Sequence, residues 1–211
     1  ANEKMPEDNP PFYNFSSNQS RKFTVTSEDK ANSAEYIISI IKMELPLEYS
    51  FENLQSEDPY HIIYLSDTSR KLVWASGNPG FKLTGMVNNT TSYPTIQTAN
   101  GKSGYCVKLE TKDTGSFGQT VKMPIASGNL FIGSFDISSA LTKPLEATQF
   151  GYPFTENPIK MTGYFKFKAG AQMTNEKKEP IPGKDVFDIY AVMYEAAESD
   201  FFLNGSNSIT D

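Results

Sequence analysis

Apolar residues recur at every second position in short runs along this chain, and Gly, Pro, Asn and Ser separate the runs. Residues 22–26 put Phe23 and Val25 on one face; residues 35–41 put Tyr36, Ile38 and Ile40 against Ile37, Ser39 and Ile41. The polar stretch 27–33 between them predicts a hairpin. Its second strand is apolar on both faces, which predicts cover on both sides, since an isolated hairpin is marginal in water. Pro46 closes this unit and marks a domain boundary.

Beyond it, the run at 61–65 predicts a buried strand. Residues 72–74 lead into 75–80, where Gly77, Pro79 and Gly80 should break any regular structure. Clean alternation returns at 105–111, where Tyr105, Val107 and Leu109 oppose Cys106, Lys108 and Glu110. It recurs at 129–137, which groups Phe131, Phe135 and Ile137. Residues 161–168 set Met161, Phe165 and Phe167 against Tyr164, Lys166 and Lys168. Residues 186–194 turn Phe187, Ile189, Ala191 and Met193 inward, and Asp188, Tyr190 and Tyr194 to the opposite face. Each reads as a half-buried strand by its period of two.

Helical signal is almost absent. Residues 138–148 could hold a turn or two before Pro144 interrupts; 168–183 is a long polar connection, and 1–21 is irregular. Many short strands with Gly- and Pro-rich connections predict an all-β protein, a sandwich or jelly roll.

Composition narrows the function classes. The 211 residues carry 19 Lys and Arg against 25 Asp and Glu, a net charge of −6. Nucleic acid and anionic membrane surfaces want cationic footprints, so neither is an expected partner. No apolar run approaches the ~18 residues that cross a bilayer, so no membrane-spanning segment is expected. One Cys, Cys106, and one His, His61, exclude a disulfide framework and a Cys/His metal cage. The opening residues lack the cationic-then-apolar layout of a signal peptide, and the chain reads as an excerpt at both ends. Sequons at Asn14, Asn18, Asn88, Asn89 and Asn204 are what an Asn- and Ser-rich sequence gives by chance.

Candidate chemistry is sparse. The tripeptide Gly101-Lys102-Ser103 lacks the upstream Gly of a phosphate loop, because position 96 is Ile. His61 and Cys106 lie in strand patterns and read as structural. Glycoside hydrolysis needs two carboxylates across a cleft, and Glu110, Asp136, Asp188 and Glu195 are the candidates. Sugar binding asks for an aromatic ring against a pyranose face, with amides, carboxylates or cations on its hydroxyls. Trp74, Asn78, Tyr164, Lys166, Asp188, Tyr190 and Tyr194 form that set; the alternative is that the large rings pack beneath loops.

Several stretches together resemble one bacterial family. They are Phe51-Glu-Asn53, Trp74-Ala-Ser-Gly-Asn78, Tyr93-Pro-Thr95, Cys106-Val-Lys-Leu-Glu-Thr111 and Pro124-Ile-Ala-Ser-Gly-Asn-Leu-Phe131. Phe150-Gly-Tyr-Pro-Phe154, Met161-Thr-Gly-Tyr-Phe-Lys166 and Asp185-Val-Phe-Asp-Ile-Tyr-Ala-Val192 continue the order to the end of the chain. The family is the putative carbohydrate metabolism domain. Phe23-Thr-Val-Thr-Ser-Glu-Asp29 and its returning strand resemble the last hairpin of an immunoglobulin-like domain.

The resemblance implies residues 1–46 as the end of an immunoglobulin-like β-sandwich. It implies 47–211 as a galactose-binding-like jelly-roll sandwich, truncated at its C-terminal end. It further implies a secreted or surface-anchored protein of gut bacteria. The expected function is a carbohydrate-binding module that takes a carbohydrate ligand without cofactor or metal. A glycoside hydrolase with a carboxylate pair and a structural or adhesive surface module stand as alternatives. Catalytic residues stay unassigned.

Overall fold

A computed structural model describes residues 20–39, 44–196 and 201–207. The chain divides into two compact units, Ala1–Glu44 and Leu45–Asp211.

In the first unit β1 (Arg21–Thr26) and β2 (Ser33–Ile38) pair antiparallel, with Phe23 opposite Tyr36 and Val25 opposite Ala34. The polar linker closes the hairpin as its composition predicts. Ser27 Oγ donates to Asp29 Oδ1 and accepts from Asn32 N, while Lys30 takes a positive φ of 58°. The expectation of cover on both faces of β2 is corrected, because Tyr36, Ile37 and Ile38 are all exposed. Ile40 and Ile41, assigned to that strand from the sequence, lie outside the described residues, as do residues 1–19.

The second unit is built from short antiparallel pairs. They are β3 (Leu54–Ser56) with β4 (Ile62–Ile63), β5 (Thr95–Thr98) with β6 (Cys106–Leu109), and β7 (Lys112–Asp113) with β8 (Ile125–Ala126). They continue with β9 (Gly133–Phe135) on β10 (Thr148–Phe150) and β11 (Met173–Thr174) on β12 (Pro180–Ile181). Single bridges, Tyr64 to Val73, Ala75 to Phe131 and Phe150 to Leu203, knit these pairs together. The regular elements among the described residues are thus mostly strands with few helical turns, the all-β class that the alternation predicts.

The core gathers between these pairs. Ile63, Leu65, Phe81, Tyr93, Phe131 and Ala147 are buried, with Ile63 only 2% exposed. Aromatic edges fill the space: Tyr93 meets Tyr60 at 5.4 Å and Phe81 at 6.1 Å, and Phe131 meets Phe150 at 5.1 Å. Burying an aliphatic side chain of this size contributes about 1.5–3 kcal/mol. Ile137, grouped with Phe131 by the alternation, is exposed beyond the end of β9.

Four further expectations are corrected. Residues 75–80 do hold regular structure, since α1 (Asn78–Lys82) begins there. Pro79 sits in its first turn, where a backbone N–H would have no helical partner and the fixed φ of proline already suits a helix. A second short helix, α2 (Gly115–Thr120), had no apolar stripe to announce it. The polar connection 168–183 contains the β11–β12 hairpin, whose turn is held by Asn175 Oδ1 accepting from Lys177 N and Glu179 N.

The largest correction concerns residues 161–168 and 186–194. Neither forms a strand, and Met161, Phe165, Phe167, Phe187, Ile189 and Met193 are exposed rather than inward. Among the described residues no neighbouring strand lies in register to accept their N–H groups, and a period of two fixes a face only once a ladder exists. The two stretches do meet: Phe187 packs against Phe167 at 4.6 Å and Phe165 at 5.2 Å, and Asp185 Oδ2 accepts from Gly170 N.

Candidate functional site

Two copies of one tetrapeptide, Ala75-Ser-Gly-Asn78 and Ala126-Ser-Gly-Asn129, meet at the start of β5. Asn78 is 0% exposed; its Nδ2 donates to Thr95 O at 2.7 Å, and its Oδ1 accepts from Thr95 N at 3.2 Å. Thr95 Oγ1 donates to Asn129 O and accepts from Asn129 N, while Asn129 Oδ1 accepts from Gly77 N at 2.6 Å. Both side-chain polar atoms of Asn78, and the Thr95 N–H, carbonyl and hydroxyl, have partners, as burial requires. The expected role of Asn78 at a sugar is therefore corrected, since its amide is spent inside. The repeated tetrapeptide was the available signal, but polar clamps carry no hydrophobic period.

Gly128 shows why this second copy needs glycine. A Cβ there would meet Pro94 O and Glu110 N at 2.5 Å, the two atoms that bond each other across the gap. Beside it, Gln97 Nε2 donates to Phe51 O, and Gln97 N donates to His61 Nδ1 at 2.9 Å. Burial lowers the pKa of His61 despite the opposing charge of Glu57. A ring that accepts at Nδ1 is neutral, so His61 acts as a structural acceptor.

Trp74 packs between Tyr49, edge-on at 5.0 Å, and Phe51, tilted at 5.6 Å. It is half-buried, and its Nε1 is buried without a hydrogen-bond partner. The indole is thus engaged with two neighbouring rings of its own unit.

The acids divide by engagement. Glu110 Oε2 takes Lys108 Nζ at 2.6 Å and Lys112 Nζ at 2.9 Å, and these bonds hold its pKa low. Asp136 accepts from Ser138 and Ser139 hydroxyls, which lower it to about 2. A general acid of a glycosidase needs its pKa raised, and the surroundings of Glu110 and Asp136 do the opposite. Asp188 and Glu195 are exposed on the 186–196 stretch. Among the described residues, no group of three His, Cys, Asp or Glu side chains is placed to hold a metal ion.

The outward side chains of 161–168 meet the β5–β6 turn. Tyr164 is 80% exposed, with Lys102 Nζ 3.6 Å from its ring centroid, and Lys166 Nζ donates to Asn100 O at 3.1 Å. Tyr190 is 70% exposed on the neighbouring stretch. Tyr194 is engaged instead: its hydroxyl donates to Phe150 O at 2.6 Å, and its ring lies edge-on to Phe201. Gly151, at φ 116°, leaves room for that hydroxyl. The structure thus brings together Tyr164 and Lys166, sets Asp188 and Tyr190 on the adjoining stretch, and commits Asn78 and Tyr194 to the scaffold.

Comparison with known proteins agrees with a carbohydrate-related chain. The family model described as "Putative carbohydrate metabolism domain" matches residues 50–211. A solved structure from Bacteroides thetaiotaomicron, described as a "putative glycoside hydrolase", is 44% identical with a TM-score of 0.77. That match covers 92% of this chain and 57% of the other. A second, from Bacteroides vulgatus and described in the same words, is 44% identical with a TM-score of 0.68, covering 75% of this chain and 64% of its own. This chain therefore spans less than two thirds of either. No curated protein matches it.

Proposed function

This chain belongs to the Putative carbohydrate metabolism domain family, and from that premise we propose that it is a carbohydrate-binding module of an exported bacterial protein. Its contact face carries Tyr164, Lys166, Asp188 and Tyr190, while Trp74 and Tyr194 brace the scaffold behind it. One observation carries this reading. Two tyrosine rings, Tyr164 and Tyr190, stand in solvent beside polar side chains, at 80% and 70% exposure the most exposed aromatic rings among the described residues. A ring so presented offers the apolar stacking surface that a pyranose face needs. Affinity from such an open face is expected to be weak, on the order of micromolar to millimolar.

Isothermal calorimetry against a panel of plant and host polysaccharides tests the reading. Binding that falls at least tenfold in a Tyr164→Ala/Tyr190→Ala variant supports it; absence of binding to every polysaccharide overturns it.

A second reading is favoured by the two solved structures described as glycoside hydrolases. In it, the chain contributes to hydrolysis by a longer protein, with Asp188 and Glu195 as the carboxylates left uncommitted. Release of reducing sugar by the chain, lost in Asp188→Asn, would favour it. We further propose residues 1–46 as the end of an immunoglobulin-like domain, 47–211 as a jelly-roll domain, and an extracytoplasmic setting. The β1–β2 hairpin and the Bacteroides neighbours support these assignments.

A further inference from the structure

The β5–β6 turn is built to present one cation. Gly101 N donates to Gly104 O at 3.2 Å, and a Cβ at Gly101 would meet Tyr105 O at 2.7 Å. Gly104 takes a φ of 65°, a left-handed conformation that glycine adopts without strain. Glycines at both ends thus leave Lys102 and Ser103 at the tip. Glu52 anchors the far side by accepting from Tyr105 N at 2.9 Å.

Lys102 turns from this tip onto the Tyr164 ring at 3.6 Å, a cation held by the negative face of the π-system. Lys166, two residues beyond Tyr164, reaches the same turn through Asn100 O. Two ammonium groups and an open ring therefore converge on five residues of loop. Acids outnumber bases in this chain, and Lys22, Lys108, Lys112, Lys143 and Lys178 each hold a carboxylate. Among the described residues neither Lys102 nor Lys166 has a carboxylate within ion-pair distance; their partners are the Tyr164 ring and the Asn100 carbonyl.

We propose that Tyr164, Lys102 and Lys166 form a subsite for an acidic sugar, with the ring under the pyranose and the two ammonium groups on its carboxylate or sulfate. This rests on the carbohydrate-binding reading above and adds the class of ligand. Ammonium groups bind such anions by charge-assisted hydrogen bonds, roughly twice as strong as neutral ones. At a solvent-exposed site that attraction weakens with salt.

The test uses matched oligosaccharides with the whole 211-residue chain. One pair is an oligouronate and its carboxyl-reduced neutral form; the other is a sulfated galactan oligosaccharide and its desulfated form. Calorimetry at low and high salt is expected to give roughly tenfold tighter binding of one acidic member than of its neutral partner, with the advantage shrinking in salt. Whichever pair shows it separates carboxylate from sulfate. Lys102→Met/Lys166→Met is expected to abolish the acidic advantage, bringing each acidic member to the affinity of its neutral partner, with circular dichroism unaltered. Tyr164→Ala should weaken both. Equal affinity within both pairs, or an undiminished advantage in the double Met variant, overturns the subsite while leaving carbohydrate binding intact. Binding to none of the four overturns both.

Discussion

The packed part of the second unit, from Tyr49 to Phe150, and the exposed part, from Ile159 to Tyr194, carry the same kind of alternating sequence and end in opposite conditions. In the first, Ile63, Leu65, Tyr93 and Phe131 are buried. In the second, Ile159 is fully exposed, and Met161, Phe165, Ile189 and Tyr190 follow it into solvent. The exposed part is no less apolar than the packed part; what it lacks is buried polar partners. The packed part has Asn78, Thr95, Gln97 and Asn129 fastening strands of only two to four residues to their neighbours. In the exposed part, residues 161–168 and 186–194 form no ladder, and what joins the two stretches is a pair of ring contacts beside the Asp185–Gly170 hydrogen bond. Alternation supplies a face, and burial needs something across from it.

The comparison is broken most sharply by truncating matched aliphatic residues. Ile63→Ala is expected to cost about 2–5 kcal/mol by leaving a cavity in the core. Ile189→Ala is expected to stay within about 0.5 kcal/mol, as for surface sites. Urea denaturation measures both, and equal losses would erase the distinction. Asn78→Ala comes next, at about 2–3 kcal/mol, because it leaves the Thr95 N–H and carbonyl buried without their partner. Gly128→Ala is expected to cost about 1–3 kcal/mol by forcing Pro94 and Glu110 apart.

A smaller effect follows from His61. Its folded pKa lies below the ordinary value of 6.5, so as pH falls the unfolded chain takes up the proton first. The stability present above pH 6.5 is therefore lost as pH drops through the folded value, where the Gln97 N–H would lose its acceptor. Denaturation midpoints between pH 8 and 5 should fall in the parent chain and fall less in His61→Gln. Tyr194→Phe is expected to cost about 0.5–1.5 kcal/mol through loss of the bond to Phe150 O, read from the same denaturation curves.

Much of the strand content was legible. β6 lies within the alternating stretch 105–111, β4 within the apolar run 61–65, and the β1–β2 hairpin where two patterned runs flank a polar turn. α1 was hidden because Gly77, Pro79 and Gly80 read as breakers, yet proline in a first turn serves a helix. The Asn78–Thr95–Asn129 knot was hidden because hydrogen-bond clamps between distant residues leave no periodic trace. Of the candidate site, Tyr164 and Lys166 were legible as outward residues of one stretch. Lys102 was passed over as a failed phosphate loop, since only the fold brings it to the Tyr164 ring.

Amide hydrogen exchange with and without a bound polysaccharide tests the central claim most directly. The account predicts slow exchange in β3–β6 in both states, and fast exchange across 159–170 and 184–194 in the free chain that slows when the glycan binds. Equal protection of both regions in the free chain, or a bound glycan that leaves 159–170 and 184–194 unchanged, would contradict it.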